Sequence, residues 1–424
     1  MTNYKHRIAD SILARKIRGK GAVLIEGPKW CGKTTTAKQI AKSVLDLGDS
    51  AVLRQSEQMI EISPKMLLSG ETPRLIDEWQ ALPPIWDSIR SEVDSRGEPS
   101  QFILTGSSVL PSAEETVHSG TGRYATIKMR TMSLYESGES AGSVSLKDLF
   151  DGQPFSIQKN DLDINDIAYL VCRGGWPWST MIPKDVALDQ AADYVDSVVQ
   201  RDIVRVDKVK RSPERAKLLL RSYARNISQQ VPFTTIRKDM LSNDSNALDE
   251  DTVADYVNAF KKLFVIEDLP AWNPNIRSKS AIRTSDTRHF VDPSIGTAIL
   301  GLGPNDLIND LKSFGFFFED LVVRDLRVYS EALDGELYHY RDSSGLECDC
   351  VLHRRNGSYA LIEVKLGGEE NINEGAANLK SLAGNIDTEK MQSPSFMAVI
   401  VAVGSYAYCR KDGVYVIPVG CLKD

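Results

Sequence analysis

Gly27-Pro28-Lys29-Trp30-Cys31-Gly32-Lys33-Thr34 has the spacing GxxxxGK[ST]. It stands directly after the apolar run GAVLIEG and directly before a helical pattern that opens TTTAKQ. In that order, successive backbone N–H groups and a helix N-terminus cradle phosphate oxygens. Lys33 brings a mobile cation to the β- and γ-phosphates, Thr34 offers its hydroxyl to Mg2+, and Thr35 extends the cradle. The ligands expected here are ATP and Mg2+. A second piece points to hydrolysis: Leu75-Ile76 lead into Asp77-Glu78, an apolar strand ending in adjacent carboxylates. Asp77 is placed to hold Mg2+, and Glu78 to polarise the attacking water. The stretch ILTGSS supplies Thr105, Ser107 and Ser108 at another strand end, and Ser107 is the candidate to orient water or sense the γ-phosphate. Arg123, in Thr121-Gly122-Arg123, is a candidate γ-phosphate contact, in cis or from a neighbouring subunit. A structural salt bridge is the alternative for it.

A second constellation lies near the other end. Asp349 falls on one short strand-like run and Glu363-Val364-Lys365 on the next. Side chains two apart on a strand share a face, so Glu363 and Lys365 point together. Asp349 and Glu363 could bracket a divalent cation while Lys365 stabilises charge on a scissile phosphate, and Glu319 in FFFEDLVVRDL could add a fourth group. His339 and His353 are isolated, and Cys348 and Cys350 flank Asp349 as expected buried thiols.

These residues need elements to hold them. Apolar runs at 21–27, 74–77 and 101–106 are separated by helical patterns, TTTAKQIAKSVLDL and PPIWDSIRSEVDSR, which argues for a mostly parallel sheet. The segment after Tyr124 holds another strand and then turns polar. AADYVDSVVQRDIVRV, SPERAKLLLRSYARNISQ, TTIRKDM and DTVADYVNAFKKLFVIEDL read as helices, with Ser212-Pro213 a helix start. The last three, with VIEDLPAW behind them, suggest a small winged-helix module. LYHYRD, CDCVLHR, YALIEVKL, FMAVIVAV and VYVIPV read as strands flanked by helices. The fold class is α/β, in four segments: 1–145 a P-loop ATPase domain, 146–210 a helical linker, 211–270 a winged-helix-like module, and 271–424 a second α/β domain.

With 424 residues, the chain has room for two or three domains. A hydrophobic fraction of 42% and a charged fraction of 26% exclude wholesale disorder, and 51 Lys plus Arg against 58 Asp plus Glu exclude a polybasic protein. The average hides a local excess between 201 and 225. Nine bases (Arg201, Arg205, Lys208, Lys210, Arg211, Arg215, Lys217, Arg221 and Arg225) face three acids (Asp202, Asp207 and Glu214), a net of +6. That density suits DNA phosphates, a solvated helix face or an acidic protein surface. Against DNA, the last helix of the module opens with Asp249, Glu250 and Asp251. Six cysteines without a CxxC pair fit a reducing compartment, and no apolar run approaches a bilayer span. The opening segment is basic without an apolar stretch, so a cytoplasmic protein with no membrane association is expected.

The order GPKWCGKTT, RLIDEWQ, FILTGSS and TGRY, followed by CRGGWPW and YVDSVVQRDI, resembles prokaryotic AAA-type ATPases. These carry an AAA_14-like amino-terminal domain and a DUF4143-like carboxy-terminal region related to restriction endonucleases. The resemblance covers almost the whole chain. It implies that Asp77, Glu78 and Arg123 take the magnesium, water-activating and arginine-finger roles. It also implies a nuclease-like final fold, since EDLVVRDL, YHYRD, ECDC and IEVK resemble its D…ExK arrangement. Trp30 and Cys31 depart from the small residues common in such loops. Three functions are consistent with this reading: an ATPase whose nucleotide state controls the C-terminal module, an ATP-gated metal-dependent DNA nuclease, and a nucleotide-regulated protein-interaction module with little turnover. A homo-oligomer and a protein partner are further expectations.

Overall fold

A computed structural model describes residues 4–107, 120–207, 209–241, 249–273, 285–389 and 391–424. The chain divides into two compact units, one of residues 1–130 with Lys262–Phe264 and one of Thr131–Lys261 with Val265–Asp424.

The first unit is built on a five-stranded sheet of β1 (Ala22–Glu26), β2 (Ser43–Asp46), β3 (Arg74–Asp77), β4 (Phe102–Gly106) and β5 (Tyr124–Lys128). Its spatial order is β2-β3-β4-β1-β5, and every pairing is parallel. The continuous apolar runs of β1 and β4 are explained by burial on both faces, as parallel strands covered by helices require. Beneath them lies a core of aliphatic side chains with Trp79 and Trp86, the latter stacked on Tyr124 at 4.1 Å. One expected helix is cut short. The helix after the phosphate loop ends at Lys38, and Ser43–Asp46 continues as an edge strand paired with β3. Along that strand Leu45 is buried while Val44 is exposed, the period of two that a one-sided strand needs.

The second unit begins at Thr131, and within it β6 (Val144–Ser145) pairs with β14 (Leu422–Lys423) at the far end of the chain. Its main sheet comprises β7 (Gln158–Lys159), β8 (Gly335–Arg341), β9 (Glu347–Arg354), β10 (Tyr359–Lys365), β11 (Phe396–Val401), β12 (Tyr406–Cys409) and β13 (Tyr415–Pro418). They lie in the order β7-β12-β13-β11-β10-β9-β8. The long helix Leu311–Ala332 packs on β8, β9 and β10, and the helix Glu369–Asn385 packs on β9, β10 and β11. Between β7 and β8 in sequence come the helices Pro213–Arg225, Phe233–Leu241 and Glu250–Lys262, as the sequence indicated. The Ser212 hydroxyl caps the first by accepting the Arg215 amide. Antiparallel bridges Ile266–Phe290 and Leu269–Thr287 follow. Among the described residues, no helix is long and apolar enough to cross a membrane.

Candidate functional site

The parallel sheet delivers three chain segments to one edge. β1 ends at Glu26 and runs into the glycine loop, β3 ends at Asp77, and β4, inserted between them, ends at Gly106. Register sets the row: Thr105 pairs with Ile25 on one side and with Asp77 on the other. The turn at Gly27 has φ of 153°, and a Cβ there would lie 2.0 Å from the Met129 carbonyl oxygen. Only glycine fits that close approach. Gly32 adopts the left-handed conformation (φ 101°) and opens the helix Lys33–Lys38. The Lys33 ammonium is buried and donates to the Gly27 and Pro28 carbonyls at 2.9 and 2.7 Å, so it already lies over the loop. Thr34 Oγ1 donates to Asp77 Oδ1 at 2.9 Å, and Thr105 Oγ1 donates to the same oxygen. A cation over a glycine cradle, next to a hydroxyl–carboxylate pair, is the donor set that a nucleotide phosphate and its Mg2+ require.

The neighbouring positions are placed as follows. Glu78 takes a left-handed conformation (φ 53°) and its Oε2 accepts from Gln80 Nε2, which fixes the carboxylate beside Asp77. Gly106 leaves room for the indole of Trp79 and the amide of Gln80, since a Cβ would come within 2.9 Å of both. Ser107 lies buried one residue past β4, on the same edge, and Ser108 falls outside the described residues. Pro28 is buried, while Lys29, Trp30 and Thr35 are exposed. Trp30 is 62% exposed, so its ring stands outside the loop. Cys31 points the other way, its thiol buried and 3.7 Å from the Met129 carbonyl oxygen.

Arg123 is not with them. It precedes β5, and its carbonyl accepts the Ala22 amide at the start of β1, the edge opposite the glycine loop. Five residues of strand separate the two edges, about 16 Å at roughly 3.3 Å per residue. Its guanidinium forms a two-point pair with Asp94, at 2.9 and 3.2 Å, and this bond holds the Asp94 carboxyl below its usual range. A cis contact with the phosphate cradle of its own chain is therefore excluded by the parallel register.

Sequence reasoning missed Arg7. Its buried guanidinium donates to the Cys31 carbonyl at 2.7 Å and to the Arg130 carbonyl at 2.9 Å, tying the glycine loop to the end of β5. Tyr4 adds a bond to Asp10 (2.6 Å) and another to Thr36 (3.1 Å). No motif marks these residues, because each acts through a partner distant in sequence.

In the second unit the four predicted residues do meet. The β9–β10 register pairs Cys350 with Ile362 and sets Asp349 beside Glu363, and Asp349 Oδ2 accepts the Val364 amide at 2.8 Å. Lys365 Nζ lies 2.8 Å from Glu363 Oε2, so the two share a face as their spacing required. Glu319, on the long helix, feels both Asp349 and Lys365. Burial, and then the Asp349 charge, push Glu363 up to about 8. Burial raises Glu319 and Asp349 as well, while the surrounding carboxylates hold the Lys365 ammonium above its usual range. Among the described residues, no group of three or more His, Cys, Asp or Glu side chains is disposed to hold a metal ion. The charge that faces these carboxyls is the Lys365 ammonium, bonded to Glu363. Behind Glu319 lies a pair the sequence did not reveal: His289 Nδ1 and Asp320 Oδ1 at 2.8 Å, both fully buried, with burial pushing His289 down to about 3. His339 is bonded to Gln230 and the Ser285 carbonyl, and His353 packs near Trp272 and Tyr359.

Residues 19–138 match the family model described as an AAA domain, 164–306 a domain of unknown function (DUF8612), and 314–422 a domain of unknown function (DUF4143). The chain is 21% identical to the uncharacterized proteins Rv2008c of Mycobacterium tuberculosis and Mb2031c of Mycobacterium bovis, over 98% of its own length and 83% of theirs. The solved Walker-type ATPase PABY2304 of Pyrococcus abyssi is similar over 70% of this chain and 96% of its own, at 15% identity and a TM-score of 0.44. The amino-terminal unit thus carries an AAA-type P-loop ATPase domain, and the carboxy-terminal part a DUF4143 domain.

Proposed function

We propose that the protein is a Mg2+-dependent ATPase whose nucleotide state controls its C-terminal module. The observation that carries this is the bond from Thr34 to Asp77, with Thr105 on the same carboxylate and Lys33 over the loop. In this reading Lys33 and the backbone of residues 27–35 bind the phosphates. Thr34 and Asp77 would hold Mg2+, which neutralises charge on the transferred phosphoryl group. Glu78 polarises water, and Ser107 lies where it can orient that water. Arg123, on the far edge, would act on a neighbour's nucleotide, which makes a homo-oligomer part of the reading. A cytoplasmic location is a further part of the reading. The segments 146–210, 211–270 and 271–424 act as linker, winged-helix-like module and effector domain. The antiparallel bridges after the third helix support the module. Phosphate release is measured for wild type, K33A and E78Q. K33A should lose at least 100-fold in kcat/KM, and E78Q should keep nucleotide affinity while losing turnover. Unchanged turnover in K33A refutes the assignment. If wild type binds ATP with little turnover, the nucleotide-regulated interaction module takes its place.

The meeting of Glu319, Asp349, Glu363 and Lys365 motivates a second reading, an ATP-gated, metal-dependent DNA nuclease with the restriction-endonuclease-like fold. Against it stands the absence, among the described residues, of a carboxylate group disposed to hold a metal ion. Supercoiled plasmid incubated with Mg2+ or Mn2+ tests it. Cleavage that D349A abolishes while ATPase activity survives supports it, and an intact plasmid in every condition removes it.

A further inference from the structure

The basic stretch of the second unit becomes more specific once its side chains are sorted by what they touch. Arg211 is consumed: it is buried and bonded to Asp207 at 2.5 and 2.9 Å and to Asp255 at 2.9 and 2.8 Å. Two of the three acids are also withdrawn: Asp202 is buried and Asp207 is held by Arg211. Glu214 stays exposed at the first turn of the helix, where it accepts the Ser212 hydroxyl at 2.6 Å, and it is the one acid left against the bases. Among the described residues the exposed bases are Arg201, Arg205, Lys210, Lys217, Arg221 and Arg225, and none of these six forms an ion pair; Lys208 falls outside the described residues. Three of them stand at four-residue steps on the helix Pro213–Arg225, so Lys217, Arg221 and Arg225 form a ridge with a rise of roughly 6 Å per step. The opposite side of that helix is buried through Leu219, Leu220 and Tyr223, which fixes the ridge outward. The π-turn Val198–Asp202 packs against the same helix and carries Arg201, with Arg205 just beyond it.

We propose that this ridge binds the phosphate backbone of duplex DNA without reading sequence. Arginine forks match phosphate oxygens in pairs, and four of the six exposed cations are arginine. From 201 to 225 the aromatic side chain is Tyr223, which is buried, so the surface offers no platform on which unpaired bases could stack. Backbone contacts of this kind position a protein on a duplex and carry no sequence information. The contact helix is the first of the three-helix module. The third opens with exposed Glu250 and Asp251, which repel phosphates from the helix that such a module would otherwise present. The proposal stands apart from the ATPase assignment, since no residue of the ridge belongs to the phosphate cradle.

The test is fluorescence anisotropy of the full chain on two unrelated 20-base-pair duplexes across a salt series. Wild type, the ridge variant K217A/R221A/R225A and the control K147A/K312A/K411A are compared; the control removes equal charge from exposed lysines elsewhere. Wild type should bind both duplexes alike. The slope of log affinity against log salt should fall by about 2.7 in the ridge variant, at roughly 0.9 per lost phosphate contact, and stay unchanged in the control. No binding at low salt, equal slopes in ridge and control variants, or loss of poly-glutamate binding with duplex affinity intact overturns the proposal. The last of these outcomes assigns the ridge to an acidic protein surface.

Discussion

Arg7 offers the sharpest test of how the phosphate cradle is held. Its guanidinium reaches two carbonyls, Cys31 within the glycine loop and Arg130 beyond β5, at 2.7 and 2.9 Å in a buried setting. A hydrogen bond to a charged group contributes about 1.5–3 kcal/mol, and a buried carbonyl left unpaired costs about 1–3 kcal/mol. R7A should therefore lower unfolding stability by about 2–4 kcal/mol, allowing for water entering the vacated space. The consequence for binding is separate. Once Cys31 is released, the loop must be ordered at the moment of ATP binding, which costs about 1–2 kcal/mol for one residue's backbone. That corresponds to a roughly 5- to 30-fold weaker affinity.

Urea unfolding gives the first number and calorimetric titration with ATP the second. At saturating ATP the turnover number should stay within about threefold of wild type, since no atom of Arg7 reaches the Asp77 or Glu78 carboxylates; this places the loss in KM. R7K keeps the charge and can satisfy one carbonyl, so its affinity should fall between R7A and wild type. If R7A is destabilised while ATP affinity is unchanged, the link from Arg7 to the loop is wrong. If kcat falls and affinity holds, Arg7 acts on chemistry and the reasoning fails differently.

Other consequences are more compact. T105V removes one of two hydroxyls on Asp77 Oδ1 and should cost about 1–3 kcal/mol in stability and roughly tenfold in kcat, measured by thermal melts and phosphate release. R123A should bind ATP normally yet lose turnover, and mixing it with inactive K33A should restore activity, because each K33A subunit still presents Arg123 to an intact neighbour's site. Failure of the mixture to recover removes the trans role. Glu363, raised to about 8 from an unfolded value near 4.5, contributes stability that is fully present below the lower value and is lost as pH rises toward the upper one. The decline is at most about 1.4 kcal/mol per pH unit, so melting temperature should drop between pH 5 and 8 in wild type and flatten in E363Q. A parallel drop in both proteins would assign the dependence elsewhere.

The glycine loop was legible because its geometry is local: spacing fixes Gly27, Gly32, Lys33 and Thr34 within one turn and one helix start. Asp77 was legible as the end of an apolar strand. Its partnership with Thr105 needed the strand order, which inserts β4 between β1 and β3. The stretch Ser43–Asp46 was misread as helix, since its apolar residues continue a plausible helical period and only pairing with β3 decides for strand. Arg123 shows the limit of motif reasoning most clearly. Its residue type suits a phosphate, yet parallel register sends it to the opposite edge from its own loop. Arg7 and the His289–Asp320 pair carried no pattern, because each is defined by a partner on another element. In the second unit the period of two placed Glu363 and Lys365 together, and the hairpin register added Asp349.

The two constellations differ in how they meet charge, and this bears on what each can do. At the cradle, Asp77 accepts from two neutral hydroxyls, those of Thr34 and Thr105. At the C-terminal cluster three carboxyls share a buried space with one ammonium, and burial raises all three above their usual range. A metal ligand must be deprotonated, so loading that cluster means expelling protons and turning Lys365 from Glu363. Any cleavage by the cluster should therefore climb steeply from pH 7 to 9. Endonuclease activity that is already maximal at pH 6.5 would mean that the carboxylates in solution are less protonated than their packing dictates.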